Sequence, residues 1–155
     1  MDEIFSGPGF LGTFAPFFAD ASLVLILLSI LLLVVGWQLR IRRRDRSHCI
    51  VQTAAVVLNI VVVAAVMIGS FLNTVLPALP AGLLQAGIAV TTLHALLGTA
   101  SAGLGLFIVL RVNNWVPRKL RFNDYKRFMR AALVLYALTA VLGVIVYLIF
   151  YVGIF

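Results

Sequence analysis

Cysteine and acid are scarce in this chain, and positive charge is missing from most of it. One cysteine, Cys49, excludes an internal disulfide and any cysteine-rich metal motif. Five acidic residues and two histidines among 155 residues supply neither the paired acids of an intramembrane protease or transporter nor a hydrolase or kinase site. Gly103-Leu104-Gly105 lies inside an apolar run and reads as helix packing, not as a phosphate-binding loop. Met1 to Ala15 has no basic region ahead of its apolar residues. It reads as a lead-in at the outer leaflet, with Phe10, Phe14, Phe17 and Phe18 near the interface, and not as a secretory signal peptide. No catalytic residue is assigned, and the chain is read as a non-enzyme.

The positive charge that exists is confined to two short segments. All twelve Lys and Arg residues lie there: Arg40, Arg42, Arg43, Arg44 and Arg46 in the first, and Arg111, Arg118, Lys119, Arg121, Lys126, Arg127 and Arg130 in the second. Long apolar stretches flank both. Basic loops stay on the side from which a membrane protein is inserted, so both are expected to be cytoplasmic. Four crossings follow, with both termini outside. Hydrophobic residues make up 63% of the chain, against about 45–50% in a soluble domain, and mean hydropathy is +1.15. The net charge of +7 is read as topology and attraction to anionic lipid, not as a nucleic-acid surface, because each cluster abuts an apolar segment. The expected location is the cell inner (plasma) membrane, as a multi-pass protein.

The expected fold is all-α: one integral membrane domain, an up-and-down four-helix transmembrane bundle. The helices are expected at about 16–38, 48–76, 81–111 and 124–151, each longer than the ~20 residues that a hydrocarbon core demands. Pro77 and Pro80 are expected to break the second helix, and Asp124 suits the start of the fourth. Lipid gives helices no hydrophobic reason to associate, so small and polar residues have to make the seam. The clearest stripe is on the third helix: Gly87, Thr91, His94, Gly98, Ser101, Gly105. Facing stripes are Ser22, Ile26, Ser29, Leu33, Gly36 on the first and Gln52, Ala55, Asn59, Val62, Val66, Gly69, Asn73 on the second. The fourth supplies Ala132, Tyr136, Thr139, Gly143, Tyr147.

His94 is the ionisable group placed deepest. A rise of ~1.5 Å per residue sets it about 25 Å from Arg111 and about 20 Å from Ala81. Two readings of it stay open. One is a neutral imidazole bonded to Thr91, Tyr147 or a backbone carbonyl. The other is a haem or metal ligand, with Gly87 and Gly98 leaving room for a flat ring and Met67 as a second ligand at similar depth. His48 lies roughly 20–25 Å away in depth and cannot share an iron with His94. His48 reads as a solvated loop-end residue. Paired with Cys49 it offers a metal such as copper only two ligands, too few for a specific site. Asp20 reads as reaching water or headgroups. The reading that needs no cofactor, haem or copper, is preferred.

Three stretches carry a resemblance. ADASLVLILLSILLLVVGWQLRIRRRDRSH is similar to the first core helix, basic loop and following histidine of the YozB/CtaM-like family of small bacterial membrane proteins (domain of unknown function 420). LHALLGTASAGLGLFIVLR resembles its His-bearing third core helix, and YKRFMRAALVLYALTAVLGVIVYLIFY its closing helix. The resemblance implies a four-helix core and, in some members, a part in maturing haem–copper respiratory oxidases. It matches His48 and His94 to two family histidines. Tyr125 stands where relatives have a histidine opening the last helix, and the histidine near the second connection is missing. The implied function is a non-enzymatic assembly factor or small accessory subunit. The alternatives are a b-type haem electron-transfer protein using His94 and a structural bundle within a larger complex. Implied partners are the lipid bilayer, oxidase subunits or other membrane proteins, and further copies of the chain as a homo-oligomer.

The charge pattern makes a direct prediction. In a Cys49→Ser background, an impermeant thiol reagent added outside should label Ser6→Cys and spare Ser47→Cys. The reverse pattern would sink the topology.

Overall fold

The computed structural model describes residues 7–82, 85–117 and 125–153. It contains four helices long and apolar enough to cross a membrane. Helix α1 is Phe17–Ile41. The second is a continuous helical run, 45–82. It opens as α2 (Asp45–Val62), widens into a π-helical turn (Val63–Met67), tightens as α3 (Ile68–Ser70), widens again (Phe71–Val75) and closes as α4 (Leu76–Gly82). Helix α5 is Ala86–Val112 and α6 is Tyr125–Tyr151. Among the described residues, α1 packs along α2 and α5 along α6, and the two hairpins close through α1 on α6 and α2 on α5. Asp20 near the start of α1 bonds Tyr147 near the end of α6, so the start of α1 and the end of α6 lie at one end of the bundle.

Two helix ends carry the same stop. Arg43 and Asn114 take positive φ, 56° and 61°, just past α1 and α5. Arg44 N–H then donates to the Leu39 carbonyl at 3.0 Å, and Trp115 N–H to Leu110 at 2.9 Å. This left-handed cap satisfies carbonyls that would otherwise be orphaned at the helix end. It turns α1 so tightly that α2 begins three residues earlier than expected, at Asp45 rather than His48.

Small residues set the helix spacing. A Cβ on Gly36 would sit 2.7 Å from Gln52 Nε2, and one on Gly105 would sit 2.5 Å from the Tyr136 hydroxyl. Both glycines therefore mark places where a side chain from the next helix lies against bare backbone. Buried residues follow the expected stripes on α1 (Ser29, Leu33, Gly36) and α5 (His94, Gly98, Ser101, Gly105). They follow α6 at Ala132, Tyr136 and Tyr147.

The second helix departs from expectation. Pro77 and Pro80 do not break it; both lie within α4. A widened turn precedes them: Leu76 N–H reaches back five residues to the Phe71 carbonyl, and the helical run continues through both prolines to Gly82. Each wide turn also adds a residue to the turn and shifts the helix phase. Gly69 and Asn73, expected on the seam, are exposed, with nothing near Gly69. The third long helix starts at Ala86, not Ala81. Asp124 lies outside the described residues.

The seam predicts an ordered series. Gly98→Ala should be nearly neutral, because its Cβ meets only Thr139 Cγ2 at 3.4 Å. Gly98→Leu should cost about 1–3 kcal/mol by overpacking. Gly103→Leu faces open space and should change little. Unfolding in detergent measures all three; equal stability of Gly98→Leu and Gly103→Leu would misplace the seam.

Candidate functional site

Each hairpin is pinned by one histidine. His94 is buried in α5, and its Nδ1 lies 2.9 Å from the Thr139 carbonyl of α6. His48 is buried at the start of α2, and its Nδ1 lies 2.7 Å from the Gly36 carbonyl of α1. A carbonyl can only accept, so in each case Nδ1 carries the hydrogen and donates. The tautomer leaves Nε2 as the basic nitrogen. His48 is thus not the solvated loop-end residue expected from its place beside the arginines. The tight α1–α2 turn swings it inward, and Gln52 Nε2, donating to the Leu33 carbonyl at 3.2 Å, adds a second rung one turn deeper.

Of the partners offered for His94, the backbone carbonyl is the one used. Thr91 is occupied with its own helix, its hydroxyl donating to Gly87 O at 2.8 Å. Tyr147 is occupied with Asp20. The ring lies over Gly143, where an added Cβ would come within 3.0 Å of Cε1. His94 lines a cavity of about 490 Å³ between the helices in the half of the bundle that holds the chain ends, with Met67, Ser22, Thr91 and Tyr147 among its walls. The wide turns Val63–Met67 and Phe71–Val75 form one side of it. His48 lines a different cavity, so the two histidines do not converge. Gly87, Gly98, Ser101 and Gly105 act in the α5–α6 seam: Gly87 faces Ile149 and Phe150, and Ser101 is fully buried with its hydroxyl on Gly98 O. Asn59 is the polar neighbour of the buried Tyr136 hydroxyl.

A heavily bonded side chain is one that sequence reasoning sent to water. Asp20 is fully buried. Its Oδ2 accepts the Phe10 and Leu11 N–H groups, both at 2.7 Å, and its Oδ1 accepts the Tyr147 hydroxyl at 2.6 Å. Tyr147 in turn lies 2.6 Å from the Thr13 hydroxyl. Every contact uses the carboxylate as acceptor, the pattern that an ionised carboxylate satisfies. The loop ahead of α1 folds back to supply these donors, tied by Gly9 N–H to Ala15 O at 3.0 Å and Phe17 N–H to Gly7 O at 2.9 Å. Gly9 is needed there, since a Cβ would strike Ala15 O and the Asp20 carboxylate. An acid four residues into an apolar helix was the available signal; ionisable residues in such segments face inward by default.

Among the described residues no group of three or more His, Cys, Asp or Glu side chains could hold a metal ion. A haem on His94 fits in part. The Nδ1–carbonyl bond orients the ring as a ligand histidine is oriented, and Met67 shares the cavity. The lining contains no Lys or Arg to meet two propionates, so the residues present do not make a complete haem site. Comparison with family models, with curated proteins and with solved structures finds no match to this chain.

Asp20→Asn tests the buried carboxylate. A carboxamide has one acceptor oxygen and cannot serve both Tyr147 and the two loop amides. Hydrogen exchange at Phe10 and Leu11 should accelerate roughly tenfold or more, with the helices unchanged. Unaltered exchange would mean that the loop holds itself.

Proposed function

We propose that this multi-pass membrane protein works without chemistry of its own, as an assembly factor or small accessory subunit for a haem–copper respiratory oxidase in the plasma membrane, with both basic loops cytoplasmic. The family resemblance supports the oxidase link. The geometry that supports a handling role is the cavity at His94: largely apolar walls with a few hydroxyls, one fixed imidazole whose Nδ1 is committed to Thr139, and a helix loosened by two wide turns beside it. Wide turns of this kind recur at functional sites. Such a cavity suits an apolar guest or a partner's side chain held by one polar anchor. The haem alternative draws on the same imidazole and Met67, and is weakened by the missing cations.

In a host lacking this gene, His94→Gln should keep the folded protein and cut oxidase activity at least about tenfold, since an amide does not replace imidazole as a ligand or proton site. His48→Gln should retain most activity, because an amide can still donate to the Gly36 carbonyl. Full rescue by His94→Gln would reduce His94 to a packing residue. Co-purification with oxidase subunits separates the assembly reading from a purely structural bundle. A visible spectrum of the gently purified protein decides the haem alternative.

A further inference from the structure

The second cavity, about 280 Å³, lies at the opposite end of the bundle, beside the basic loops. Its walls combine two chemistries. Arg40 from the end of α1 and Lys126 and Arg130 from the first turns of α6 stand at its polar side, while Leu33, Val56, Val109 and Leu133 form its apolar side. Lys126 and Arg130 are four residues apart, so they share one helix face. Both are exposed. Arg40 is already paired with Asp45, which leaves Lys126 and Arg130 as the net charge among its described walls. The positive end of the α6 dipole adds to them. Tyr136 lines the same cavity, 5% exposed, with its ring against Gly105.

We propose that this cavity is a binding site for an anionic phospholipid of the adjoining leaflet. The phosphate lies between Lys126 and Arg130, and the start of an acyl chain enters against Leu33 and Val109. The volume holds part of one chain, so the rest of the lipid stays in the bilayer. A zwitterionic headgroup brings no net charge to match the α6 cations, so the site discriminates by headgroup. The proposal is independent of the oxidase reading.

Trp37 lines the cavity and reports on it. In a Trp115→Phe background, the protein is placed in vesicles carrying chain-brominated phosphatidylglycerol or phosphatidylcholine at equal mole fraction, and Trp37 quenching gives their relative affinity. Phosphatidylglycerol should be favoured at least about fivefold. Lys126→Gln/Arg130→Gln should bring the ratio close to one, with the helical circular dichroism unchanged. Arg43→Gln/Arg46→Gln removes the same charge away from the cavity and should keep the preference. Inorganic phosphate at millimolar concentration should not displace the lipid. Equal quenching by both lipids, equal loss in the two double variants, or displacement by inorganic phosphate would each overturn the proposal. The first would mean no headgroup selection, the second a general surface potential, and the third a free-anion site.

Discussion

Hydrocarbon offers no water to a backbone amide, so each N–H and C=O in a crossing segment has to be satisfied inside the protein. The four long helices answer that demand, and the remaining polar groups follow from it. A side-chain donor that bonds the backbone of a neighbouring helix has to find a carbonyl with a spare lone pair. His48 finds Gly36, Gln52 finds Leu33 and His94 finds Thr139. Each of these carbonyls sits where a glycine or small residue lets the helices approach, so hydrogen bonding and close packing are one arrangement. The chain thereby becomes two pinned hairpins rather than four independent spans.

The demand also shapes the second helix. It carries two prolines near its end and two wide turns ahead of them, and it does not break. The widened stretch no longer keeps the seam in register, which is why Gly69 and Asn73 turn outward. Residues of both wide turns line the cavity beside His94.

At the chain-end side, one carboxylate does the work of a cap for a whole loop. Asp20 gathers two amides and a tyrosine hydroxyl from α6, tying segment 7–16, α1 and α6 to one point. Opposite, at the basic end, Arg40 is paired with Asp45, while Lys126 and Arg130 stand exposed at a second cavity.

Much of the architecture was legible in the residues themselves. Four apolar stretches, two basic loops and the small-residue stripe through His94 and Gly98 determine helix number, antiparallel order and the buried face of α5, because hydropathy and a period near 3.6 are local properties of a segment. Tertiary structure alone decided that Asp20 is buried, that His48 turns inward and that the two histidines face different cavities. Those outcomes depend on which donor or carbonyl stands across the seam, between residues as far apart as Asp20 and Tyr147, and no periodicity within one segment carries that information.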